Sequence, residues 1–221
     1  MPEILQNTLD FLRDLRTNNN KAWFDQHRKQ YDAARGHFEE FASELIMALS
    51  DIEDLGGVTA KDCIFRINRD IRFSSDKTPY KTNMSAVIGQ GGKKAAGRSY
   101  YVQIAPDGQS MLAGGVHSPS SQELEKVRRS IADDPQKFKK TIQNTDFKRY
   151  FGSLQGDSLK TAPQGYPKDH PEIELLRMKQ FLAEHDFSDK DVLSSDLASE
   201  IVAMCKAMQP FVTFIESALS S

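Results

Sequence analysis

A chain of 221 residues with 38% hydrophobic and 27% charged residues can bury a substantial core without staples, and 13 Phe and 6 Tyr are too much aromatic material for a disordered chain. The formal net charge of −2 argues against binding nucleic acid or anionic lipid over the whole surface and leaves only a local patch for such a role. Cys63 and Cys205 lie in apolar patterns without CxxC spacing and read as buried thiols. With no uninterrupted apolar run at the N-terminus, the expectation is a cytoplasmic protein without a membrane span.

In chain order, Asn7 is read as the cap of a first helix carrying Leu9, Phe11, Leu12 and Leu15, followed by a turn at Asn18-Asn19-Asn20. Asn20 caps a longer helix, in which Trp23, Phe24, His27, Tyr31, Phe38, Phe41, Leu45 and Leu49 recur at helical steps. A bend is expected at Gly36 and a stop at Gly56-Gly57. From Cys63 the period becomes two: Cys63, Phe65, Ile67, Ile71 and Phe73 face one way, and Arg66, Asn68, Asp70 and Arg72 the other. Further strands are expected over 84–89, 98–105 and 110–116, the last two joined by a tight turn at Pro106-Asp107-Gly108-Gln109. After Pro119 the pattern is helical: one helix from Ser121 to Ile131, one from Pro135, a short one over 146–151, one opened by Pro171 and carrying Ile173, Leu176, Met178 and Phe181, and a last one capped by Ser194 or Ser195. The expected fold is α+β, an antiparallel β meander of about four or more strands flanked by N-terminal and C-terminal helices, in a single domain over 1–221.

The segment from Arg66 to Lys81 holds five cationic residues and two acidic ones in a chain of net charge −2. Guanidinium forks at Arg66, Arg69 and Arg72 suit a carboxylate or phosphate, Lys77 and Lys81 add point charges, and Tyr80 adds a hydroxyl donor. The competing reading is a solvated strand face whose cations pair with Asp70 and Asp76.

Four runs carry a resemblance: Asn18-Asn19-Asn20-Lys21-Ala22-Trp23-Phe24; Arg69-Asp70-Ile71-Arg72-Phe73-Ser74-Ser75-Asp76-Lys77-Thr78-Pro79-Tyr80-Lys81; Gly114-Gly115 with Pro119; and Pro163-Gln164-Gly165-Tyr166 with Asp169-His170-Pro171. Together they resemble a conserved bacterial group, domain-of-unknown-function family 2461, over nearly the whole chain. The resemblance implies an intracellular α+β domain and brings no activity, cofactor or catalytic residue with it, so the site assignments rest on the residues themselves.

Other motifs are weaker. Gly89-Gln90-Gly91-Gly92-Lys93-Lys94 lacks phosphate-loop spacing and reads as a basic hairpin tip. Glycines 114 and 115 before His117 permit close approach of either a ligand or another backbone. Metal-ligand spacing and a nucleophile elbow are both missing, so no metal and no cofactor is assigned. The sequence leaves the function unknown and leaves open whether the protein is an enzyme. The leading expectation is binding, with or without turnover, of a small anionic phosphate- or carboxylate-bearing ligand by Arg66, Arg69, Arg72, Lys77, Tyr80 and Lys81, with Asp70, Tyr80 and His170 as catalytic candidates. The alternative is a non-enzymatic module that uses the same strip with Lys93 and Lys94 to dock an acidic protein surface or, less favoured, a nucleic-acid backbone. Oligomeric state is left open.

Overall fold

The first helix, α1 (Pro2–Thr17), starts earlier than Asn7 because buried Leu5 extends the apolar stripe of Leu9, Leu12 and Leu15 by one turn. This computed structural model describes residues 2–95 and 97–221. After the asparagine turn, the Asn20 side chain accepts from the Trp23 N–H at 3.0 Å and opens α2 (Lys21–Gln26). The expected bend at Gly36 is displaced to His27, which separates α2 from α3 (Arg28–Ser50). There the His27 N–H is shared between the carbonyls of Trp23 and Phe24 (3.0 and 3.2 Å), and its ring stacks on Trp23 at 4.0 Å.

A capping box between Thr59 and Asp62 winds α4 (Ala60–Cys63), so Cys63 ends a helical turn where a strand was expected to begin. The strands β1 (Met84–Gly89), β2 (Ser99–Ile104) and β3 (Ser110–Val116) follow, with a 3₁₀ turn over Gly92–Lys94 between the first two. Asp107 and Gly108 take φ of 63° and 69° in the β2–β3 turn, the left-handed pair that a tight hairpin requires. Next come α5 (Ser121–Asp133), α6 (Pro135–Gln143) and α7 (Thr145–Phe151), capped by Ser120, Asp134 and Asn144. The helix expected after Pro171 shrinks to α8 (Ile173–Leu176), and the chain leaves it as β4 (Phe181–Phe187). Arg128 explains the change: its guanidinium donates to the carbonyls of Leu176 (2.6 Å) and Met178 (3.0 Å), taking acceptors that a longer helix would use. The chain ends through α9 (Asp189–Val192) and α10 (Leu197–Ser220).

The protein is α+β: an antiparallel sheet in the order β1-β2-β3-β4, with helices at both ends of the chain. Its fourth strand comes from 181–187, not from the segment after Cys63. The chain forms two compact units: Met1–Ala96 with Tyr101–Leu112 and Asp186–Val202, and Gly97–Tyr100 with Ala113–His185 and Ala203–Ser221.

In the first unit α1 packs on α3, and Leu9, Leu12, Phe38, Phe41 and Leu45 are buried. In the second, Phe138 meets Phe181, Phe211 and Phe214 with ring centres 5.0–6.3 Å apart, and Phe147 meets Phe211 at 5.8 Å. Glycines 114 and 115 belong to this packing. A Cβ at Gly114 would collide with the Met208 sulfur, and one at Gly115, whose φ is 115°, with the Phe181 carbonyl oxygen. Their missing side chains admit another part of the same chain.

Candidate functional site

The segment after Cys63 forms a broken hairpin rather than a strand. Ile64 bridges Ala86 and Asn68 bridges Tyr80, both antiparallel, and the Lys81 N–H donates to the Ile67 carbonyl at 2.8 Å. Beyond Arg69 the pairing stops because side chains capture the backbone. Asp70 accepts from the Arg72 N–H (3.3 Å), Asp76 accepts from the Thr78 N–H (2.9 Å), and Lys77 donates to the Ile71 carbonyl (2.9 Å). The predicted alternation fails with them: Ile67 is buried, whereas Phe73 is 96% exposed.

Arg69, out of phase with the expected polar face, clasps the loop. Its guanidinium bonds Asp76 at 2.5 Å, the Thr78 carbonyl at 3.2 Å and the Thr78 hydroxyl. Asn19 clasps the other limb, accepting from the Tyr80 N–H (3.1 Å) and donating to the Tyr80 carbonyl (2.9 Å), as a neighbouring strand would. The Tyr80 ring is buried and stacked on Phe24 at 4.0 Å and 15°, so this limb is fixed by packing as well.

Between these clasps lies a cleft of about 390 Å³. Arg16, Arg69 and Lys81 contribute three cations to its wall and Asp76 one carboxylate, and Asn19, Thr78, Tyr80, Thr82 and Asn83 complete it. Pockets that take small molecules span roughly 300–1,000 Å³, which puts this one at the size of a compact metabolite. Arg16 is held in place by Asp107, which also accepts from Arg13 at 3.2 Å. Asp189 anchors that turn in its place by accepting from the N–H groups of Asp107 and Gly108 (3.0 and 2.9 Å).

Lys81 differs from the other wall cations. Its ammonium has neither a hydrogen-bond acceptor nor a counter-ion among the described residues and stands 5.0 Å over the Phe65 ring. Burial, and then the nearby Arg66 guanidinium, hold its pKa below the ordinary lysine value. Asn83 is also incompletely satisfied, since its buried side-chain oxygen meets no donor among the described residues.

Of the residues chosen from sequence, the fold brings Arg69, Tyr80 and Lys81 to this cleft. Arg66, Arg72 and Lys77 are exposed and do not line it. Arg72 forks onto Asp70 at 2.9 and 2.7 Å, and these bonds, with the Arg72 N–H, hold the Asp70 carboxyl below its ordinary pKa and make it a poor proton acceptor. His170 belongs to the second unit, where its Nδ1 accepts from the Glu172 N–H at 3.0 Å. Lys93 is bound to the carbonyls of Lys61 and Ile64 (2.7 and 2.9 Å), which ties down the basic hairpin tip. Arg16, Asn19, Thr82 and Asn83 were missed; of these only Asn19 carried a signal, as part of the asparagine run. Among the described residues no group of three His, Cys, Asp or Glu side chains is placed to hold a metal.

The model of one protein family, described as a conserved hypothetical protein (DUF2461), matches residues 7–214. The chain belongs to this family. Both clasps and every residue that lines the cleft fall within the matched span. No curated protein and no solved structure matches the chain significantly. Among the described residues no helix is long and apolar enough to cross a membrane.

Proposed function

We propose that the cleft binds a small anion bearing a phosphate or carboxylate group, in a protein of the bacterial cytoplasm. The observation that carries this reading is Lys81, a cation without a counter-ion in the wall of a cleft that Arg16 and Arg69 also line. An anion there would supply the missing charge and meet donors already fixed in place, so little ordering would oppose binding.

The test is a thermal-shift and calorimetric titration with inorganic phosphate, small carboxylates and nucleotides, in wild type and in Lys81→Met, which keeps the stem on Phe65 and removes the charge. A ligand of the folded state raises the midpoint by mass action. Loss of a charge-assisted contact worth about 1.5–3 kcal/mol weakens binding roughly tenfold to a hundredfold in the variant. Equal shifts in both proteins would dismiss the cleft as the site.

A second reading rests on Phe73, 96% exposed beside the exposed Arg72, whose guanidinium lies 5.8 Å from the ring centre. An aromatic next to arginine on a loop tip suits docking to an acidic protein surface. It predicts retention on an acidic matrix that falls with salt and drops in Phe73→Ser; retention unchanged in that variant counts against it.

A further inference from the structure

We propose that Lys81 is a nucleophile that forms a covalent imine with a carbonyl-bearing anion, an oxo acid or a phosphorylated aldehyde, bound in the cleft. The inference rests on the anion-binding reading for the substrate's charged end and adds the reacting end. For an amine to attack a carbonyl it needs an available lone pair, which an ordinary lysine, with a pKa of about 10.4, lacks at neutral pH because it is protonated, and an acceptor bound to the ammonium withholds it further.

Three other lysines of the first unit, Lys21, Lys77 and Lys93, show the contrast that an acceptor makes. Lys21 is held by Asp25, which raises its pKa. Lys77 donates to the Ile71 carbonyl, and Lys93 to two carbonyls. Lys81 alone among these four has no acceptor, faces a cleft, and stands beside a second cation, Arg66, which disfavours its charged form. Desolvation next to another cationic group is a known way to activate a lysine amine.

The step balances. The Nζ lone pair attacks the carbonyl carbon, forming the C–N bond as the C=O π pair moves to oxygen. The carbinolamine oxygen leaves as water, taking one proton from nitrogen and one from solvent, and the nitrogen lone pair closes the C=N bond. Starting from the ammonium, the net change is loss of one water and formation of an iminium of the same charge. The bound carboxylate or phosphate therefore keeps its counter-ion when the bond forms.

The test uses glyoxylate as the probe, with cyanoborohydride to trap any iminium as a stable secondary amine, followed by peptide mapping of the full chain. At limiting glyoxylate, Lys81 should gain a carboxymethyl group about tenfold or more faster than Lys21, Lys77 or Lys93, as expected of an activated amine. Inorganic phosphate should slow that labelling and leave the other lysines unaffected. The map is read on wild type, so it survives a Lys81 variant that fails to fold; Lys81→Arg, which retains charge and length, should lose the selective label. Labelling spread evenly over the lysines overturns the proposal, and if phosphate still raises the thermal midpoint the anion reading survives it. Selective labelling of Lys81 that phosphate does not slow upholds the nucleophile and removes the anion site.

Discussion

The Phe138–Phe181–Phe211 cluster of the second unit and the 64–83 segment of the first are built by opposite means. The cluster is made of buried rings 6.1 and 6.3 Å from one another, with glycines at 114 and 115 giving way to Met208 and Phe181. The segment is made of polar side chains reaching back to the main chain: Arg69 to Thr78, Asn19 to Tyr80, Asp76 to Thr78. Packing energy is non-directional and scales with buried area, so the cluster depends on volume. Hydrogen bonds of the second kind are directional and individually modest, so the segment depends on particular atoms. A cleft that presents polar groups to a ligand belongs in the second kind of structure, where donors are fixed without being covered.

The largest test of that contrast is Phe211→Ala. Phe211 is fully buried and meets both Phe138 and Phe147, and truncating a core phenylalanine typically costs about 3–5 kcal/mol. Urea denaturation should show a loss of that order, while phosphate affinity of the protein that remains folded stays unchanged. A loss below about 1 kcal/mol would mean that the cluster yields to the cavity and is not rigid.

Asn19→Ala should cost less overall and matter more to the cleft. It leaves the Tyr80 N–H and carbonyl without their partners, worth roughly 1–3 kcal/mol where water cannot replace them. Hydrogen exchange at the Tyr80 amide should accelerate well beyond any change at the amides of β3. Uniform acceleration would show that Asn19 supports the fold at large and has no special part in shaping the cleft.

The same contrast explains what the sequence disclosed. The strands 84–89 and 110–116 were legible to the residue as short runs bounded by turn residues, 99–104 carries the period of two that alternate burial imprints, and Asn20 and Pro135 marked helix starts by their chemistry. The segment after Cys63 imitated that period, but its alternation was accidental: Asp70, Asp76 and Lys77 bind local backbone, a competition that periodicity does not register. β4 was hidden for another reason. Its apolar run, Phe181-Leu182-Ala183, is too short to tell strand from helix, and the Arg128 bonds that end α8 come from about 50 residues away in sequence. For the cleft, the cationic run pointed to Arg69, Tyr80 and Lys81, since local density shows in any linear reading. It said nothing of Arg16, which reaches the wall from α1 through its bond to Asp107.

The smallest expected effect concerns the residue that looked most like an anion ligand in the linear sequence. Arg72 is 76% exposed at its side chain, forks onto Asp70, and does not line the cleft. Exposed pairs contribute little to stability because water and salt screen them, so Arg72→Ala should leave the denaturation midpoint at neutral pH unchanged within error. One consequence should remain in acid. The fork depresses the Asp70 pKa below 3.8, so whatever stability the pair gives is present above that value and is lost as pH falls through the depressed pKa. Without Arg72 that part of the acid limb flattens and the neutral plateau is retained. Phosphate affinity is the sharper readout: a site in the cleft predicts the same affinity in Arg72→Ala and wild type, with the loss confined to Lys81→Met. Weaker binding in Arg72→Ala would move the site from the clefted limb to the exposed loop tip, with Phe73 and the docking reading in its place.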